Sequence, residues 1–157
     1  MLIVADTSPL CYLILIQQVD VLPQLYEQIL IPSAVAQELA ASESPEQVQR
    51  WIKQPPQWLD IRPSQLSTDP MLQKLDLGER EAIALAELSG ADLLLIDEKM
   101  GRTIARDRGL NVTGLLGVLG NSASKGLVNF PDVIARLQQT SFYVSPKLIA
   151  ALLQRYQ

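Results

Sequence analysis

Apolar and polar positions follow two rhythms that take turns along the chain. Leu2-Ile3-Val4-Ala5 is an unbroken apolar run, the pattern of a strand buried on both faces of a parallel sheet. Asp6-Thr7-Ser8-Pro9 then supplies turn and N-cap residues, with Pro9 suited to a first helical position, and predicts a helix through about Ile16. Leu30-Ile31 is a second short apolar run, closed by Pro32. From Ser33 to Ala41 the spacing predicts a helix with Val35 and Leu39 on one face and Glu38 beside them. Ser44-Pro45-Glu46-Gln47 has the form of a capping box ahead of Val48, Trp51 and Ile52. Pro55-Pro56 stops that helix, and residues 58–62 alternate like a half-buried edge strand.

The second half repeats the scheme. Leu77-Gly78-Glu79 opens a helical pattern through Leu88, which Ser89-Gly90 closes. Residues 92–96 form the clearest buried strand and end at Asp97. A helix from about Glu98 to Asp107 stops at Gly109, Asn111-Val112-Thr113 reads as a short fifth strand, and Gly114 to Gly117 make a turn and a helix start. Two further helices open at Asn129-Phe130-Pro131 and Ser145-Pro146. No internal repeat or linker interrupts residues 1–157, so a single domain is expected. Strands alternating with helices predict an α/β sandwich with a mostly parallel sheet. Such sheets bind ligands at the carboxyl ends of their strands, where Asp6 and Asp97 both stand.

Two carboxylates at adjacent strand ends would repel each other, and burial makes each harder to ionise. A cation between them resolves the conflict. The 157 residues include no histidine and one cysteine, which removes the usual zinc sites, thiolate clusters, an internal disulfide and the usual general base. Hard divalent ions, Mg²⁺ or Mn²⁺, suit an all-oxygen site. Hydrolysis of a phosphodiester needs little else, since the ion activates water and neutralises charge developing on phosphate. Each acid also has a plainer reading: Asp6 as an N-cap, Glu38 as a solvated helix residue, Glu79 and Asp97 as complements to helix dipoles.

The remaining composition adjusts this picture without deciding it. A formal charge of −4 argues mildly against a strong nucleic-acid binder, although distribution matters more than the sum. Aromatic residues make up 5%, which weakens the idea of a base-stacking platform. Cys11 reads as a small buried apolar residue, and Trp51 and Trp58 as core or subunit-contact residues. Neither a signal peptide nor a membrane span is expected, which makes a cytoplasmic location the default. Lys99, Arg102 and Arg106 have helical spacing beside Asp97. They make either a solvated face or a phosphate-steering, RNA-binding stripe.

Val4-Ala5-Asp6-Thr7-Ser8-Pro9-Leu10 resembles the opening motif of the PIN-domain nucleases. Ile31-Pro32-Ser33-Ala34-Val35 with Glu38-Leu39 is similar to their second motif, Leu77-Gly78-Glu79-Arg80-Glu81-Ala82-Ile83-Ala84-Leu85-Ala86 to the third, and Leu94-Leu95-Ile96-Asp97-Glu98 with Arg102 and Ala105 to the fourth. Gly114-Leu115-Leu116-Gly117-Val118-Leu119 is similar to the tail of a prokaryotic branch. The motifs run in order over nearly the whole chain.

The resemblance implies a three-layer α/β/α sandwich with a five-stranded sheet, dependence on Mg²⁺ or Mn²⁺, and endonucleolytic cleavage of RNA. Asp6, Glu38, Glu79 and Asp97 match the acidic quartet that serves as both metal ligands and catalytic groups. Glu81 remains an alternative to Glu79, Glu98 is a candidate additional acid, and Ser8 matches a small polar position that supports the first aspartate or its metal. Many members of the family are dimeric toxins silenced by a small antitoxin, so a homodimer and an antitoxin partner are expected, with no membrane. The rival reading is a catalytically weak PIN-like module that binds protein. Phosphoacceptor chemistry at Asp6 is disfavoured, because Ser8 stands where a second aspartate is wanted.

Overall fold

The computed structural model describes residues 1–63 and 67–156. The strands are β1 (Leu2–Ala5), β2 (Gln28–Pro32), β3 (Leu59–Arg62), β4 (Leu93–Leu95) and β5 (Val112–Thr113). The helices are α1 (Thr7–Leu15), α2 (Val21–Leu25), α3 (Ser33–Ala40), α4 (Glu46–Lys53), α5 (Leu77–Ser89), α6 (Lys99–Asp107), α7 (Leu115–Ser124), α8 (Phe130–Gln138) and α9 (Pro146–Arg155).

The strands form one sheet in the order β3-β2-β1-β4-β5. Every pairing is parallel, including Ala5 with Leu95 on the central pair, so the sheet expected to be mostly parallel is parallel throughout. The unbroken apolar runs have the predicted cause. Side chains alternate across a strand, and both faces of this sheet are covered. Ile3, Ala5, Ile29, Ile31 and Leu95 face a core built with α1, α3, α4, α7 and α8. Val4, Leu30, Leu94 and Ile96 face a second core built with α5 and α6. Each fully buried Ile or Leu contributes about 1.5–3 kcal/mol, so the central strands are held from both sides. The result is the α/β/α sandwich.

Several local readings need correction. The helix after β1 begins at Thr7, which puts Pro9 third in α1. Its missing N–H still costs nothing, because the first turn has no internal acceptors. The capping box at Ser44 does not form: Pro45 is the N-cap of α4, and Gln49 reaches back to the Ser44 carbonyl at 2.6 Å instead. The stops at Gly90 and Gly109 hold, with φ of 65° and 85° that suit glycine. Trp51 and Trp58 pack against each other, centroids 5.9 Å apart, beside the first core. Cys11 is half-buried against the same core, and burial raises its thiol pKa, which keeps it protonated.

The stretch leading into α5 is pinned by a guanidinium. Arg108 donates to Asp69 at 2.5 Å and to Glu87 at 2.7 Å, and this pairing lowers the Asp69 carboxyl pKa. The clamp ties the approach to Asp76 onto α5 and the end of α6. Among the described residues, no helix is long and apolar enough to cross a membrane.

Candidate functional site

The sheet order reverses at β1: β2 and β3 lie on one side of it, β4 and β5 on the other. Crevices open at such switch points, beyond the carboxyl ends of the strands. Asp6 and Asp97 leave neighbouring strands at this crevice, and the Asp6 N–H donates to the Leu95 carbonyl at 2.9 Å.

Asp6 occupies the N-cap of α1 but makes no side-chain capping bond. It is 4% exposed, and its Oδ1 has no hydrogen-bond partner. Burial pushes its pKa up to about 7; the Thr7 N–H draws it down, and the charges of Asp76, Glu38 and Asp97 push it further up. The plainer reading of Asp6 as a helix cap therefore fails.

Glu38 comes from α3, and both its oxygens are engaged. The Thr7 hydroxyl donates to Oε2, and the Gly78 N–H donates to Oε1 at 3.1 Å. A Cβ on Gly78 would sit 2.6 Å from Oε1, so glycine is what lets this carboxylate lie against α5.

Glu79 does two jobs. Its N–H donates to Asp76 Oδ1 at 2.9 Å, and its Oε1 accepts from the Asp76 N–H at 3.4 Å, a true capping box. Its Oε2 is buried without a donor, and would lie 2.9 Å from a Cβ on Gly101. Burial, then Asp76, then Asp6 raise its pKa. Glu81 is also buried, with Oε2 unpartnered, but two residues turn it about 200° around the helix.

Asp97 Oδ1 accepts from the Leu115 N–H at 2.8 Å, at the start of α7, where a helix N-terminus favours negative charge. Its Oδ2 has no partner. Burial raises its pKa; the Leu115 N–H, Arg102 and the Ser8 hydroxyl draw it down, and Glu98 pushes it up. The Ser8 hydroxyl thus reaches Asp97, the fourth acid. A Cβ on Gly114 would come within 2.5 Å of Asp97 Oδ1, so a third glycine makes room for a third acid.

One acid escaped the sequence reading. Asp76, the N-cap of α5, is the first of the charges raising the Asp6 pKa. Asp76-Leu77-Gly78-Glu79 does carry a signal, an acceptor followed three residues later by Glu, but that spacing speaks only of a helix start. Of the basic residues on α6, Lys99 and Arg102 line a groove of about 700 Å³ beside Asp97 and Glu98. Arg106 is exposed and lies outside that groove.

The donor set fits a hard cation. Asp6, Glu79 and Asp97 each present a buried oxygen with no hydrogen bond, and no sulfur or imidazole competes. Among the described residues, no three such side chains already stand in an ion-holding group. The second oxygens of Glu79 and Asp97 are tied to backbone N–H groups.

A wholly parallel sheet with carboxylates gathered at its switch point defines a class of α/β protein built around an acidic hollow. The family model described as PIN domain matches residues 2–157, and the chain belongs to the PIN-domain family. PIN domains are generally nucleases and typically use divalent metals. No curated protein matches the chain.

Proposed function

We propose that the protein is a Mg²⁺- or Mn²⁺-dependent endoribonuclease that hydrolyses RNA phosphodiester bonds, with Asp6, Glu38, Glu79 and Asp97 as its working acids. The observation that carries this reading is the trio of buried carboxylate oxygens without donors, on Asp6, Glu79 and Asp97. A buried acceptor left unpaired costs about 1–3 kcal/mol. The charge of Asp97 acts on Asp6 and that of Asp6 on Glu79, and a divalent ion drawn in among them would satisfy these oxygens.

In this reading Asp6, Glu79 and Asp97 hold the ion. Glu38, fixed by Thr7 and Gly78, adds negative charge beside Glu79. A bound divalent ion supplies charge neutralisation at the phosphate and makes water a better nucleophile. Asp76 orients Glu79 through their reciprocal hydrogen bonds. Ser8 and Arg102 steady Asp97.

A cytoplasmic setting, a homodimer and control by a small antitoxin also belong to this reading. Exposed Leu88, Met100 and Met71 offer apolar contact surface for association.

The test is cleavage of single-stranded RNA in Mn²⁺ and in chelator, with Glu79→Gln and Glu81→Gln side by side. Glu79→Gln is expected to lose about tenfold or more, the scale of a weakened metal site, and Glu81→Gln much less. The opposite ranking would move the third acid to Glu81. The second reading is a catalytically weak module that binds protein. Wild-type protein inert with every divalent ion tried would select it.

A further inference from the structure

The groove beside Asp97 is more than the rim of the acidic hollow. It runs between α6 and the C-terminal stretch of residues 141–156. We propose that it carries single-stranded RNA away from the hollow, with Tyr143 stacking on a base and Lys99, Arg102 and Arg155 against the phosphates. The proposal rests on the ribonuclease reading of the hollow.

Charge gives the first argument. The chain has more acids than bases, and four of its eight arginines are neutralised: Arg50 by Glu46, Arg62 by Asp60, Arg108 by Asp69 and Glu87, Arg136 by Asp132. Among the described residues, Lys99, Arg102 and Arg155 have no ion-pair partner within 4.0 Å, and all three line this groove. Three such cations along one trough that starts beside Asp97 and Glu98 suit a polyanion that follows it.

The aromatic residues give the second. The chain has eight aromatic side chains, and four of them line this groove: Tyr12, Phe142, Tyr143 and Tyr156. Three are committed inside the protein. Tyr12 meets Phe142 edge-on at 5.0 Å, and Tyr156 packs on Phe130 at 4.8 Å. Tyr143 is 81% exposed and, among the described residues, has no ring partner. A large ring left in water at the edge of a cationic trough is placed to take an unstacked base, the usual device for holding single strands. A duplex offers no free base face, so the geometry selects a single strand.

Binding is to be measured in chelator, where no cleavage occurs, with a short fluorescein-labelled single-stranded oligouridylate and its abasic counterpart. Tyr143→Ala is expected to weaken the base-bearing strand about tenfold and to leave the abasic strand unchanged. Tyr143→Phe should bind like wild type. Arg155→Ala should weaken both strands alike, since it meets phosphate. Tyr143→Ala binding both strands like wild type, or losing both alike, overturns the proposal. A wild-type chain that shows this stacking pattern but never cleaves RNA in Mn²⁺ overturns the nuclease reading and keeps the groove. A Tyr143→Ala chain that cleaves and binds like wild type does the reverse.

Discussion

Asp6→Asn is expected to abolish RNA cleavage, by at least about a hundredfold, without loosening the fold. The substitution keeps side-chain volume, and the backbone bond from residue 6 to the Leu95 carbonyl is untouched. The new amide is surrounded by carboxylates whose charges act on Asp6, those of Asp76, Glu38 and Asp97, so its N–H groups find acceptors. It removes a buried charge in a place where burial alone disfavours that charge. The metal-free variant should therefore melt no lower than wild type near neutral pH, yet gain little from Mn²⁺. Cleavage in Mn²⁺ and thermal melting in chelator check both halves. Full activity in the variant would remove Asp6 from the site; clear destabilisation in chelator would make it a structural residue.

The metal-free protein is expected to lose stability as pH rises from about 5 to 8, and a divalent ion to cancel that loss. The sign follows from linkage. The Asp6 pKa stands at about 7 in the fold against 3.8 when unperturbed, so between those values the folded state holds a proton that the unfolded chain has released. Stability from this group is full below about pH 4 and is lost as pH climbs through 7. At about 1.4 kcal/mol per unit, the loss between about pH 5 and 8 is roughly 2.5 kcal/mol, on the order of 5–10 °C in melting temperature for a chain of this size. Glu79 and Asp97, raised mainly by burial, act in the same direction. Cations bind the deprotonated acids, so stabilisation by Mn²⁺ should be largest near pH 8 and small near pH 5. Melting curves across that range, with chelator and with Mn²⁺, read it directly. A flat profile in chelator would mean that the acids ionise without strain.

How much of this was legible in the sequence depended on whether the cause was local. β1 and β4 announced themselves because a strand covered on both faces must be apolar at every position, and Asp6 and Asp97 stood out by ending those runs. The glycine at 78 was visible as a helix opening, but its reason, the Glu38 carboxylate lying against it, needed α3 brought beside α5. Asp76 was missed for the same kind of reason. Its spacing to Glu79 describes a helix cap, while its effect on Asp6 depends on a sheet order that no local pattern encodes. α2, five residues with Pro23 inside, is too short to show a period. The low aromatic share argued against stacking, but the share says nothing of where the rings gather. Half of them meet in one groove because residues 141–156 return to lie beside Tyr12 of α1.

The order of the strands also bears on how the cell makes this chain. β1 is synthesised first and takes the centre of the sheet, but its partner β4 is far downstream, and Ala5 waits for Leu95. Until that stretch has left the ribosome, Asp6 has no Asp97 to face and Glu38 has no Gly78 to lie against. A nascent chain released before β4 should therefore be inert towards RNA, and C-terminally truncated chains ending ahead of Leu93 are expected to show no Mn²⁺-dependent cleavage. On the proposed ribonuclease reading, activity waits until β4 and Asp97 have been synthesised.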